Sequence, residues 1–298
     1  MNLAVGFFDG VHLGHRRILA QADAALTFLN HPATVFAPDR VPPLLMPTDV
    51  RLAAIAEALG TERATLVGRA ARPSEQVRAL PFTPELAALP PDDFAARLRA
   101  DYPGLDTVFC GPNWTYGANG AGTADTLRAA GFRVETVPFV VLDGAPVSST
   151  RIRAALADGR LDEANALLGR PYSISGATFS GKGMGRTLGR PTINLRIPEG
   201  LVRLPLGAYA VETPLGPGVA NYGNAPTLGE RAWPEPVLEV HLLDVPPKSD
   251  AASIIAGGVP STLSVSFRRF IRPERTFASL AELQAQIARD VAAASEAR

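Results

Sequence analysis

The chain has 298 residues, 46% of them hydrophobic and 19% charged, a globular composition that fits one large domain or two ordinary ones and excludes a largely disordered chain. Its 29 lysines and arginines balance 29 aspartates and glutamates, so no bulk attraction to nucleic acid or to an acidic membrane is available. One cysteine, Cys110, excludes an intrachain disulfide and a cysteine metal cluster, and no apolar run approaches the roughly 18–20 residues that span a bilayer.

Met1–Val5 reads straight into a strand, with no basic region or cleavage site before it, which points to a cytoplasmic protein. Leu3–Phe8 predicts that strand, and a helix follows from Gly14 through Leu19. Leu26–Leu29 is a second strand, followed by a proline-rich loop through Pro47. Thr48 then caps a helix with Leu52, Ile55 and Leu59 on one face and Gly60 at its end. Ala64–Val67 and Asp106–Cys110 read as strands with a helix at Asp92–Ala100 between them; Thr123–Ala130 and Arg133–Val137 repeat helix then strand. This alternation predicts a parallel sheet with helices on both faces, a class that binds ligands beyond the carboxyl ends of its strands.

A long helix runs from Ser149 through Ile152, Leu156, Leu161 and Leu167 to Gly169, with a break at Asp158-Gly159. After it, period-2 runs at Gly207–Glu212, Leu238–Leu243 and Leu263–Phe267, divided by glycine- and proline-rich turns, suit an antiparallel barrel or sandwich. Ser279 and Glu282 open a closing helix as a capping box, with Leu280, Leu283, Ile287 and Val291 on one stripe. Two domains are therefore expected, α/β over 1–168 and antiparallel β over 169–298.

Two clusters in the first half carry chemistry. Gly10-Val11-His12-Leu13-Gly14-His15 stands where the first strand hands over to the first helix. Its glycines let a ligand approach the backbone, its histidines point the same way on a helical turn, and a helix start favours an anion. Two imidazoles there suit the charge that builds on a phosphate under attack, although surface histidines on a plain strand–turn–helix give the same pattern. Ser148-Ser149-Thr150-Arg151-Ile152-Arg153 opens the last helix of this half, where hydroxyls cap a helix or hold a phosphate and Arg153 can neutralise a leaving pyrophosphate. Both helix starts belong at one sheet edge, and together they read as a nucleoside-triphosphate site. Cys110 reads as a small buried side chain ending a strand.

Gly6–His15 with Ser148–Arg153 resembles the adenylyltransferase module of the bacterial bifunctional riboflavin kinase/FMN adenylyltransferases, in the His-x-Gly-His nucleotidyltransferase superfamily with its Rossmann-like fold. Thr27-Phe28-Leu29-Asn30-His31-Pro32 resembles a family segment with Asn30 in place of proline. Phe82–Ala87 and Gly111–Gly117 resemble two more, with Trp114 and Tyr116 as aromatic-for-aromatic departures that otherwise read as core or loop aromatics. The resemblance implies that His12 and His15 stabilise the α-phosphate of ATP during attack by the FMN phosphate. By the same resemblance Gly10, Gly14, Asn113, Ser149, Thr150 and Arg153 hold the nucleotide. His31 is open between a flavin contact and a structural loop histidine.

In the second half, Ser180–Leu195 carries four glycines within nine positions, including Gly181, Gly183 and Gly185, beside Lys182. It lacks both the Walker and the dinucleotide spacing, so it is either an anion cradle or a flexible hairpin. Thr192 and Asn194 share a face when extended, and their oxygens suit Mg²⁺. Glu239 lies in an alternating strand, on the solvent face or as a general base. Gly181–Leu195 resembles the riboflavin kinase segment ending Pro-Thr-Ala-Asn, with Ile193 for alanine, and Glu239 falls on the family's Glu-Val-His. Leu206–Val211, Val219–Thr227 and Phe270–Phe277 match further segments in order, whereas the Asp-Leu-Tyr-Gly usual after Asp244 is replaced by Val245–Pro260. The resemblance implies that Glu239 accepts the proton of the attacking riboflavin hydroxyl, that Gly181, Lys182, Gly183 and Gly185 hold ATP, that Thr192 and Asn194 hold Mg²⁺, and that Asn221 and Arg272 contact flavin.

The expected function is ATP-dependent conversion of riboflavin to FMN and of FMN to FAD with release of pyrophosphate. The alternatives are an adenylyltransferase with an impaired kinase half, or a non-catalytic flavin-binding protein. Riboflavin, FMN, FAD and ATP are the expected partners, with no nucleic acid and no membrane. Composition leaves the oligomeric state open.

Overall fold

In this computed structural model the described residues are 1–60, 76–179, 192–224, 235–243 and 260–295. They form two compact units, Met1–Ser149 and Thr150–Arg298. The first unit begins β1 (Asn2–Val5), α1 (Leu13–Leu19), β2 (Ala24–Phe28), α2 (Ala33–Phe36), α3 (Thr48–Gly60), β3 (Val77–Leu80), α4 (Pro84–Ala87) and α5 (Pro91–Asp101). It continues β4 (Thr107–Cys110), β5 (Thr115–Tyr116), β6 (Gly122–Thr123), α6 (Ala124–Ala129), β7 (Arg133–Thr136), β8 (Val141–Leu142) and β9 (Ala145–Pro146).

The sheet runs β3-β2-β1-β4-β7, and every pairing in it is parallel. Alternation along β1 explains its two covered faces. Ala4 packs with Leu19 of α1 and Ile55 of α3, whereas Leu3 and Val5 face Leu98 of α5 and Leu127 of α6. Because β2 and β3 add to one side of β1 while β4 and β7 add to the other, the order reverses between β1 and β4. Loops leaving those two strands diverge there, which is where such sheets take their ligands.

One expectation changes in this unit. The first strand stops at Val5 rather than Phe8, since Phe8 (φ 58°), Gly10 (φ 82°) and Val11 (φ 40°) turn the chain through the left-handed region. Ala64–Val67 lies outside the described residues, and the described third strand is Val77–Leu80. The long helix after Ser149 is two helices, α7 (Ser149–Ala157) and α8 (Leu161–Leu168), parted at the expected Asp158-Gly159.

Helix α7 opens at the boundary between the units. In the second unit Asn165 of α8 donates to Phe267 O (3.0 Å) and accepts from Tyr172 N (2.7 Å), fastening α8 to two barrel strands. The packing boundary follows Ser149, the first residue of α7, although the sequence grammar changes only near residue 168. The barrel strands are β10 (Tyr172–Phe179), β11 (Thr192–Arg196), β12 (Gly207–Thr213), β13 (Gly216–Gly223), β14 (Val237–Leu242) and β15 (Thr262–Pro273). They close in the antiparallel order β10-β11-β14-β13-β12-β15, a barrel rather than a sandwich.

Leu195, Leu238, Val240, Ala220, Tyr209, Val265 and Phe267 are buried and fill the interior. The closing helix α9 (Leu280–Ser295) packs on the outer face, where Ala294 meets Ala210 and Val219. Glu282 N donates to Ser279 Oγ (3.2 Å), while the Glu282 carboxylate accepts from Ala278 N (3.1 Å), a cap displaced by one residue from the expected box. Leu283 is buried and Ile287 and Val291 are half-buried; the side chain of Leu280 lies outside the described residues.

Candidate functional sites

The loop between β1 and α1 is a strained structure held from several sides. Phe8 and Val11 sit at positive φ, which costs of the order of 1 kcal/mol or more each and persists only where surroundings enforce it. Those surroundings are visible. Val11 N donates to Phe8 O (3.1 Å), the buried Asp9 carboxylate accepts from Leu45 N (3.0 and 3.2 Å), and Ser149 Oγ donates to Asp9 O (2.8 Å). Ser149, the last residue of the first unit, thus braces the histidine loop through its backbone.

His12 is the N-cap of α1, and its Nδ1 accepts from His15 N (3.3 Å), so a neutral His12 carries its proton on Nε2. The two imidazoles stack with centroids 3.6 Å apart and planes at 18°. Gly14 makes room for this: a Cβ there would stand 3.2 Å from His12 Cε1. Burial pushes the His15 imidazole well below its ordinary range, and His12 and Arg51 add to the shift. His15 Nδ1 is buried and finds no hydrogen-bond partner among the described residues.

Asn113 is exposed on the turn after β4, across the order reversal from the histidine loop, in a segment where Trp114 N donates to Gly111 O (3.1 Å). Trp114 and Tyr116 stack on each other at 5.0 Å in the core cluster beside β4, matching their reading as core aromatics. Cys110 is fully buried, and burial pushes its thiol up. His31 follows β2; its Nδ1 accepts from Ala33 N (3.0 Å) and its ring meets Phe7 edge-on at 4.8 Å. Asn30, standing where the family has proline, donates to Phe82 O (3.0 Å) and accepts from Phe82 N (2.8 Å), bracing that loop against the one after β3. Thr150 and Arg153 lie on the first turns of α7 in the second unit.

In the barrel, one register row runs Asn194↔Glu239↔Asn221↔Ala208↔Arg272 across β11, β14, β13, β12 and β15. Directly opposed residues share a face, so all five stand on the outer face. Thr192 is two residues from Asn194 on that face, with Thr192 Oγ1 3.5 Å from His241 Nδ1. Burial raises the Glu239 carboxyl above the ordinary glutamate range. Asn194 Oδ1 is buried with no hydrogen-bond partner among the described residues, an oxygen available to a hard cation. Among the described residues no group of three or more His, Cys, Asp and Glu side chains is placed to hold a metal.

Arg272 is held in a bidentate pair with the buried Asp290 of α9: Nε at 3.0 Å from Oδ1 and Nη2 at 2.9 Å from Oδ2. Gln286 Nε2 donates to the same carboxylate (2.8 Å). Gly181, Lys182, Gly183 and Gly185 lie outside the described residues, as does the segment 244–259.

Sequence reasoning missed Asp9, Arg51 and Asp290. A signal existed for Arg51, which shares the buried stripe of α3 with Ile55, Ala58 and Leu59; a charge at an apolar-stripe position marks a packed polar group.

A FAD synthetase family model matches residues 1–151 and a riboflavin kinase family model matches 168–297. The bifunctional riboflavin kinase/FMN adenylyltransferase of Pseudomonas fluorescens is 36% identical over 300 residues, covering 97% of this chain and 90% of that one. That of Escherichia coli K12 is 34% identical over 99% of this chain and 91% of its own, and that of Bacillus subtilis 31% over 97% and 89%. A solved structure from Streptococcus pneumoniae, described as a macrolide-efflux protein, superposes with a TM-score of 0.78 at 25% identity, covering 99% of this chain and 93% of that one.

Proposed function

The chain belongs to the family of bifunctional riboflavin kinase/FMN adenylyltransferases, and from this premise we propose how its two halves divide the work. It is a transferase that phosphorylates riboflavin to FMN and adenylylates FMN to FAD, with ATP as co-substrate. Both halves match their family models, so neither a chain lacking the kinase nor a binding-only protein is favoured. We assign adenylyl transfer to 1–168 and the kinase to 169–298.

In adenylyl transfer, an FMN phosphate oxygen attacks the α-phosphorus of ATP, and the bond to the bridging oxygen breaks as pyrophosphate leaves. Charge grows on the α-phosphoryl oxygens, and N–H donors of His12 and His15 are our candidates to meet it. The single observation that supports this most is the stacked histidine pair on a strained loop at the order reversal of the parallel sheet. Asn113, Ser149 and Thr150 would hold the nucleotide with Gly10 and Gly14, and Arg153 the pyrophosphate. His31 is assigned to the flavin side, its Nδ1 already serving the Ala33 amide.

For the kinase, Glu239 takes the proton of the riboflavin hydroxyl as it attacks the γ-phosphorus and ADP leaves. Gly181, Lys182, Gly183 and Gly185 would hold the ATP phosphates. Thr192 and Asn194 would hold Mg²⁺, which supplies charge neutralisation on the phosphates when bound; the buried, unpartnered Asn194 Oδ1 fits that role. Asn221 and Arg272 are assigned to the flavin end, Arg272 through a guanidinium fixed by Asp290. No described helix is long and apolar enough to cross a membrane, and we place the enzyme in the cytoplasm with its substrates.

Product analysis tests this reading. Purified chain given riboflavin, ATP and Mg²⁺ forms FMN and then FAD, and given FMN forms FAD and pyrophosphate. Absence of both products contradicts it, and FAD formed only from supplied FMN contradicts the kinase assignment.

A further inference from the structure

Arg51 occupies a place where an aliphatic residue would be the simpler choice. It sits on the buried stripe of α3, fully shielded from solvent, and burial brings its pKa down to about 10 against the opposing pull of Asp9. A charge is kept in such a place at a desolvation cost, so its fork should have a use there. Nη1 donates to Phe7 O (2.6 Å) and Thr27 Oγ1 (3.1 Å), while Nη2 donates to Phe28 O (2.6 Å) and Leu29 O (3.2 Å). Thr27 Oγ1 donates in turn to Phe7 O (3.1 Å). Those carbonyls lie just past the end of β1 and at the end of the neighbouring β2, where the loops bearing His12–His15 and His31 depart. The guanidinium carbon also lies 4.0 Å over the Phe7 ring, which meets the His31 ring in a T-shaped contact at 4.8 Å.

We propose that Arg51 is a positioning residue for adenylyl transfer, locking the histidine loop after β1 to the His31 loop after β2 so that both meet the nucleotide and flavin phosphate in a fixed geometry. Planarity matters here as much as charge. Two nitrogens set apart in one plane reach the ends of two strands at once, whereas a lysine ammonium is a single point that serves one strand end well and the other poorly. A misplacement of the order of 1 Å between reacting groups is enough to cost up to about a hundredfold in rate.

This inference rests on the assignment of His12 and His15 to adenylyl transfer, and the full-length chain carries its own folding control in the other half. Arg51→Met and Arg51→Lys are assayed for FAD formation from FMN and ATP, and in the same preparations for FMN formation from riboflavin. The expected result is an adenylyl-transfer kcat reduced about tenfold or more in R51M and clearly reduced in R51K, with the kinase rate unchanged in both. Wild-type adenylyl-transfer kcat in an R51M protein that retains its kinase overturns the proposal. Should R51M lose both activities, R51K decides: a normal adenylyl-transfer kcat in it overturns the role of the fork, and a selective loss of kcat supports it. His12→Ala/His15→Ala runs alongside, and undiminished FAD formation by that variant refutes the site assignment itself rather than the role of Arg51.

Discussion

At the scale of single residues, burial and the neighbouring His12 set the charge state of His15. With ring centroids 3.6 Å apart, protonation of either imidazole opposes protonation of the other, and burial already holds His15 far below its ordinary range. An NMR titration of the unliganded chain should therefore show His15 neutral through the ordinary imidazole range; titration at or above the ordinary value contradicts the packing. The stability consequence has a definite sign. The unfolded chain takes up this proton first, so this group lowers stability as pH falls through the ordinary imidazole range, and denaturant midpoints should decline there. Glu239 works the other way, since burial raises its carboxyl. As a base it must be ionised, so kinase kcat/KM should fall with decreasing pH at a midpoint above that of a free glutamate. A midpoint at or below the free value contradicts Glu239 as the buried base. His12 and His15 stand out in the sequence because they lie in one short contiguous pattern, whereas Glu239 is singled out only by the family resemblance of its strand. Asp9 and Asp290 do not stand out, because their partners, the Leu45 amide and the Arg272 guanidinium, lie 36 and 18 residues away. For Arg51 the sequence marks a packed polar group but not the Phe7 carbonyl 44 residues off that it binds.

At the scale of elements, the terminal helix shows what local signals give and what they omit. Its start and its apolar stripe follow from Ser279, Glu282, Leu283 and Val291, but its buried face also carries Gln286 and Asp290. Asp290 joins α9 to β15 through Arg272, with side chains 4% and 19% exposed. Removing one member of so enclosed a pair leaves a stranded charge, and Asp290→Ala should cost about 3 kcal/mol or more in urea unfolding of the second unit. A loss under about 1 kcal/mol contradicts the helix being held by that pair. Helices α3 and α5 end within a residue or so of where their sequences predict. Strands β3, β10 and β13 were not signalled. β3 is a four-residue sheet edge, β10 has a glycine at its centre, and glycines in β13 interrupt the alternation on which strand prediction depends. β15 extends well past its predicted end because two register shifts let one strand pair with both β10 and β12.

For the whole molecule, two folds answer two phosphate problems. A parallel sheet opens loops and helix starts at one edge, suited to cradling a triphosphate attacked at its inner phosphorus; a closed barrel offers a row of outward side chains, suited to a base and a cation at the outer phosphorus. The change from α/β to β grammar near residue 170 made the two-domain plan legible, while packing assigns α7 and α8 to the barrel unit. If each half has its own catalytic groups, the activities separate by mutation. The most direct measurement follows flavin products from riboflavin and, separately, from FMN, using wild-type chain, Glu239→Gln and His12→Ala/His15→Ala. E239Q should lose riboflavin phosphorylation by about a hundredfold or more yet convert supplied FMN to FAD at the wild-type rate. The double histidine variant should accumulate FMN and stop there. E239Q forming FAD from riboflavin at the wild-type rate, or the histidine variant completing FAD synthesis, would contradict the two-site assignment.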